Sequence, residues 1–151
     1  MRFFTNELYD INGYLKQLKL IQTRISDDIY EFFTTISFHD AHIYSLHVKN
    51  TFNPDDDEDD PTRIEAHLLH RSGVEYIVTW IGVNKFLMDY DIQRNTYVNS
   101  DEIVCDGQRG LDDWIVDEIT AYDDHYLSHE IILASDAQLN IRFTGIEIKK
   151  L

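Results

Sequence analysis

The sequence predicts an α+β domain, with two N-terminal helices packed on one face of a mainly antiparallel sheet of about seven strands. Three observations carry this. Apolar residues recur every three or four positions up to residue 37, and every second position from Ala41 onward. No helical pattern separates consecutive strand segments, as the crossovers of a parallel sheet would require. With 151 residues, 43% hydrophobic and 13% aromatic, the chain can fill one core. A single domain over 1–151 is expected, with a helical segment over 1–37 and a sheet over 41–151.

The first helix is expected over 5–24, where Leu8, Ile11, Leu15, Leu18 and Ile21 share a face. Thr5 is its expected cap, Glu7 suits the positive first turn, and Gly13 weakens the middle by about 1 kcal/mol relative to Ala. A second, shorter helix starts at "SDD", with Ser26 capping and Asp27 and Asp28 meeting the positive end. Its stripe is Ile29, Phe32, Phe33 and Ile36, and "TTIS" should end it near Ser37. Strand alternation follows: Tyr44, Leu46 and Val48; then Ile64, Ala66 and Leu68; then Tyr76, Val78 and Trp80; then Phe86, Met88, Tyr90 and Ile92. "HRSG" and "GVN" are the intervening turns. Residues 93–110 are polar and irregular, with one helical turn expected from Ser100. "DWIVDEITAY" and "YLSHEIILAS" form a hairpin, and Gly145 marks a bend in the last strand.

Charge is the most extreme feature, at a net −15. Acids outnumber bases six to five in residues 1–50, ten to four in 51–100, and twelve to four in 101–151. Such a field repels phosphate backbones, which argues against nucleic acid, and it attracts basic proteins. It also serves solubility. The run "NPDDDEDDP" over 53–61 fails as an EF-hand loop, because Asp60 and Ala66 stand where glycine and glutamate are needed. Six adjacent carboxylates between two prolines are expected to form a mobile acidic loop joining two strands. One cysteine, Cys105, excludes an internal disulfide and suits a reducing compartment. No signal-peptide pattern opens the chain and no run of 18 apolar residues occurs, so a cytoplasmic protein without a membrane span is expected.

The opening "MRFFTNELY" is similar to the Met-Lys-Tyr-Phe-Thr-Lys-Glu-type start of a bacterial family of unknown function. "FHDAHI" is similar to that family's His-Asp-x-x-Ile entry into a strand, and "WIVDEI" to its Trp followed by an acidic pair. "HEIILASDAQLNIRFTGIEI" resembles its final hairpin and x-Leu-x-Ile-x-Phe strand. A looser likeness, the His-Asp step into an antiparallel sheet, joins the chain to small bacterial immunity proteins. The resemblance touches most of the chain through short motifs, and the acidic run has no counterpart in it. It implies the fold above, and the family has no assigned activity.

Two constellations are chemical candidates. "SFHDAHIYSLH" holds His39, Asp40, His42 and His47, but strand alternation puts His39 and Asp40 on opposite sides. It reads as a helix-to-strand junction with Phe38 packed beneath it, or else as part of a ligand or acid–base site. In the hairpin, a four-residue loop over Tyr122–His125 sets Glu118 opposite His129, Val116 opposite Ile131 and Trp114 opposite Leu133. Glu118 and His129 would then meet on an apolar face, as a structural pair or as an acid–base pair. Asp117 would oppose Glu130, so that face should be wet or should hold a cation, and a one-residue slip would undo the whole scheme. No HExxH, paired-Cys, G-x-S-x-G or phosphate-loop pattern is present.

The expectation is a non-enzymatic acidic binding module that recognises a basic protein, as an immunity-type protein does, without metal or cofactor. Asp112, Asp113, Asp117, Asp123 and Asp124 are its candidate contact residues. The alternatives are a small enzyme or metal-binding protein using Glu118 and His129 with His39 and Asp40, and a structural or oligomeric scaffold. An acidic binder should gather its acids and exposed aromatics on one face; an enzyme should converge the four candidates in a cleft.

Overall fold

Asp10, not Thr5, starts the first helix. Its carboxylate accepts from the Gly13 amide at 2.8 Å, and α1 runs Ile11–Ile21. A side chain at position 13 would strike that carboxylate, with a Cβ only 2.1 Å from Asp10 Oδ2, so Gly13 belongs to the cap. Thr5 instead closes a tight turn, its hydroxyl accepting from the amides of Glu7 and Leu8. A 3-10 turn over Gln22–Arg24 leads to α2, Asp27–Thr35, with Ser26 as its N-cap residue and Asp27 and Asp28 in its first turn. The computed structural model describes residues 1–5, 7–55, 57, 59–91 and 111–151. Ile92, the segment 93–110 with its expected helical turn at Ser100, and Cys105 lie outside the described residues.

The strands are β1 Ala41–Asn50, β2 Thr62–Leu69, β3 Glu75–Ile81, β4 Lys85–Asp89, β5 Asp112–Ala121, β6 Leu127–Leu133, β7 Gln138–Phe143 and β8 Gly145–Lys150. They form one antiparallel sheet in the order β4-β7-β6-β5-β1-β2-β3-β8, with the helices on one side. There are eight strands where about seven were expected. The expected bend at Gly145 divides the last strand in two.

The two ends of that order, β4 and β8, are chain continuations of β3 and β7. The antiparallel ladder carries on through both bends: Ile81 pairs with Gly145, Lys85 with Arg142, and the Thr144 and Asn84 amides donate to Ile81 and Arg142 carbonyls. The sheet therefore curls back on itself. Gly82 makes the bend possible, because its φ of +62° suits glycine and a Cβ there would lie 2.1 Å from Thr144 Oγ1. Inside the curl sit Ile64, Leu68, Val78, Trp80, Ile119, Leu127, Ile131, Ile141 and Phe143, all fully buried.

β1 and β5 pair only over Ala41–Ile43 and Asp112–Trp114. Beyond that they part. Among the described residues the far half of β1 pairs only with β2, and Val48, which shares its alternation with Tyr44 and Leu46, is 57% exposed. Along β5 the open edge is filled by α1 and the first four residues. The Ile119 amide, beyond the reach of the β1 pairing, donates to the Tyr14 hydroxyl at 3.0 Å.

Candidate functional site

The expected Glu118–His129 contact does not form. Asp123 accepts from the amides of His125 and Tyr126, and this turn lengthens the hairpin loop to Tyr122–Tyr126. The longer loop slips the register by one residue: Ile119 opposes His129, Glu118 opposes Glu130 and Asp117 opposes Ile131. An irregularity between Trp114 and Val116 then restores the expected pairing of Trp114 with Leu133. Asp117 consequently shares a face with Trp114 and His129, and Glu118 points the other way.

On the inner face, four side chains close a polar network. Trp80, from β3 across the interior, donates its indole N–H to His129 Nδ1 at 3.1 Å. An indole can only donate, so Nδ1 is bare and the ring hydrogen sits on Nε2. That nitrogen meets Asp117 Oδ2 at 3.0 Å, and Trp114 donates to Asp117 Oδ1 at 2.9 Å. His129 is fully buried, with the ring of Phe33 at 5.7 Å and that of Trp114 at 5.5 Å. Its basic nitrogen is occupied by Trp80, so proton exchange with a ligand would first have to break that bond.

On the other face, Glu118 is 2% exposed and anchors the N-terminus. Its two oxygens accept from the backbone amides of Arg2, Phe3 and Phe4 at 2.7, 2.6 and 2.7 Å. The terminal ammonium of Met1 pairs with Glu130 beside it. Tyr14, whose hydroxyl accepts from the Ile119 amide, feels the charges of Asp117 and Glu118. Burial, then the Asp117 charge, push its phenol well above the ordinary tyrosine range.

His39 and Asp40 form an exposed pair, 3.1 Å apart, at the junction of α2 and β1. Asp40 takes a φ of +63°, a conformation that Asp tolerates, and the Ser37 hydroxyl accepts from the His39 amide. Phe38 packs beneath against Phe32, Tyr76 and Trp114. His42 pairs with Asp113 and His47 bonds to Ser45, so these histidines do not gather. Among the described residues, no group of three or more His, Cys, Asp or Glu side chains could hold a metal. No described helix is long and apolar enough to cross a membrane.

The acidic contact candidates divide. Asp112 is fully buried, accepting from the Ser135 hydroxyl and the Asp113 amide, so it presents nothing to a partner. Asp113 and Asp117 are mostly covered in their bonds to His42, His129 and Trp114. Asp123 and Asp124 are exposed in the hairpin loop. The Tyr126 hydroxyl, at the foot of that loop, donates to Asp60 in the acidic run. Two segments some sixty residues apart thus meet at one end of the sheet, and Asp60 and Asp123 both raise the Tyr126 phenol above its ordinary range.

A cleft of about 750 Å³ opens between the helices and β5–β6. Asp117 lies in it, with Tyr14 and Leu15 of α1, Phe33 and Ile36 of α2, and Phe4 of the N-terminal segment. His39 also reaches this cleft, while Asp40, Glu118 and His129 do not line it. The network of Trp80, Trp114 and Asp117 was not foreseen. A signal for it is the apolar alternation that Trp80 shares with Tyr76 and Val78, since a Trp that such a face buries needs an acceptor.

No protein-family model matches the chain, and no curated protein matches it. Among solved structures, the chain is similar to the crystal structure of an uncharacterized protein from Neisseria gonorrhoeae, at 15% identity and a TM-score of 0.45, over 76% of this chain and 95% of that one.

Proposed function

We propose that the protein is a non-enzymatic acidic binding module that takes a basic protein partner, in the manner of a bacterial immunity protein. The contact surface is the end of the sheet where the β1–β2 and β5–β6 loops meet. The observation that carries this is the Tyr126–Asp60 bond, which sets the acidic run beside Asp123 and Asp124. Exposed aromatics accompany the acids: Phe52, 72% exposed, precedes the run and Tyr122, 54% exposed, opens the hairpin loop. Aromatic anchors ringed by charge are what a protein interface uses. Two cations are already engaged there, Arg24 on the Asp123 carbonyl and Arg142 over the Tyr122 ring at 3.4 Å, and the acids Asp55, Asp57, Asp59, Asp60, Asp123 and Asp124 outnumber them.

The test is affinity capture from bacterial extract at low salt, followed by kinetics on any partner recovered. Association should slow steeply as salt rises and screening shortens to about 8 Å. Asp124→Lys should slow it further without changing the melting temperature. Asp124 suits the test better than Asp123, whose carboxylate holds the loop. Recovery of no basic partner, or a partner whose association ignores both salt and Asp124→Lys, would overturn the proposal.

A further inference from the structure

The cleft beside Asp117 is walled by aromatic rings. Phe4, Tyr9 and Tyr14 form one wall, with centroids 5.0 Å apart for Phe4–Tyr9 and 5.2 Å for Phe4–Tyr14. Phe33 stands on α2, its ring edge-on to His129. The Asp117 side chain is only 11% exposed, and both its oxygens take bonds from neutral donors, the Trp114 indole and the Nε2–H of His129. Each oxygen keeps a further acceptor direction. Among the described residues, Asp117 forms no ion pair with Lys or Arg. Its negative charge is hydrogen-bonded but not neutralised, and a nearby charge is felt strongly in so covered a place. At the mouth, Ile11, Leu15 and Ile36 are apolar side chains left part-exposed among the described residues.

We propose that this cleft binds a small organic cation, an alkyl- or arylammonium group on an apolar body, with the ammonium against Asp117 and the aromatic walls and the body on the apolar mouth. Ring faces attract a cation through their quadrupoles, and the carboxylate supplies the opposite charge. A neutral apolar molecule would cover Asp117 without a counter-charge, which is costly, and an anion would be repelled by Asp117 and by Asp136, which also lines the cleft. Arg71, of the β2–β3 turn, and His39, of the α2–β1 junction, also line the cleft, so the cationic end belongs at Asp117 and not at them. This site is separate from the acidic end of the sheet and stands or falls independently of the partner proposed above.

The experiment titrates the intact ¹⁵N-labelled protein with benzyltrimethylammonium, benzyl alcohol and benzoate, following the two indole N–H signals by NMR. Trp80 and Trp114 are the two tryptophans, and Trp114 donates directly to Asp117. The cation should move the Trp114 indole signal saturably and bind at least about tenfold tighter than the alcohol, with benzoate inert. Asp117 is bonded into the core, so the variant chosen is Leu15→Arg, at a part-exposed mouth position that tolerates charge. It should weaken the cation at least about tenfold while the folded spectrum is retained. The proposal is overturned if the alcohol binds as tightly as the cation, if the cation leaves both indoles unmoved up to about 10 mM, or if Leu15→Arg binds it like the wild type.

Discussion

Glu118→Ala removes one side chain and orphans three backbone donors. The amides of Arg2, Phe3 and Phe4 all end on its carboxylate, and those of Phe3 and Phe4 are buried. Each buried donor left without an acceptor costs about 1–3 kcal/mol. The N-terminal segment can limit the loss by undocking into water, but then Phe3 and Phe4 leave the core, at about 1.5–3 kcal/mol each. Either route gives a destabilisation of about 3–5 kcal/mol. For a chain of this size that lowers the melting temperature by roughly 10 °C. Glu118→Gln keeps one carbonyl oxygen, enough for Phe3 and Phe4, and should cost about half as much. Urea unfolding followed by tryptophan fluorescence gives the free energies, and amide hydrogen exchange at residues 2–4 shows whether the segment has undocked. The reasoning fails if Glu118→Ala stays within about 0.5 kcal/mol of the wild type with those amides still protected.

Two further outcomes follow from the same geometry. Tyr14→Phe removes the acceptor for the Ile119 amide and should cost about 1–2 kcal/mol at neutral pH. The Tyr14 phenol is raised above its ordinary 10.0, so its stabilising contribution is complete below about pH 10 and fades as pH rises toward the folded value. The stability gap between wild type and Tyr14→Phe should therefore narrow on going from pH 9 to pH 11, as read from urea midpoints; a constant gap would refute the assigned environment. Gly82→Ala should lose about 2–3 kcal/mol in thermal melts, from the left-handed backbone and from displacing the Thr144 side chain. Gly73→Ala shares the positive φ but meets open space, so it should lose about 1 kcal/mol less. Equal losses would show that the Thr144 contact is not what demands glycine.

The faces of the strands were legible because they rest on a period of two, which survives any change of partner. Ile64, Ala66 and Leu68, and likewise Tyr76, Val78 and Trp80, lie inside as their alternation requires. Val48 shows the limit. Its alternation is correct, but β1 outruns β5, and no local pattern states where a neighbouring strand stops. The first helix was placed too early because Thr5 and Asp10 are both capping residue types. What separates them is Gly13, whose missing Cβ leaves room for the Asp10 carboxylate. The polar constellation was read on the right strands with the wrong partner. One hydrogen-bonded turn at Asp123 moved the register by a residue, and the bulge beyond Trp114 moved it back, so the pairing was wrong only between them.

That short stretch decides the fate of two adjacent carboxylates. Glu118 lands where the chain's own first residues approach, and three amides saturate it, so nothing remains for a ligand to satisfy. Asp117 lands on the inner face, where three N–H groups, two indole and one imidazole, need acceptors. The His129 Nδ1 answers Trp80, and the two Asp117 oxygens answer His129 and Trp114. The donors are then all used, while the carboxylate still has acceptor capacity and an unneutralised charge at the wall of a cleft. Had the bulge been absent, Trp114 and Asp117 would face opposite ways, and the Trp114 indole would lack this acceptor. The turn at Asp123 thus brings the negative charge to the wall of an aromatic-lined cleft, and the bulge brings the core tryptophan that bonds it there.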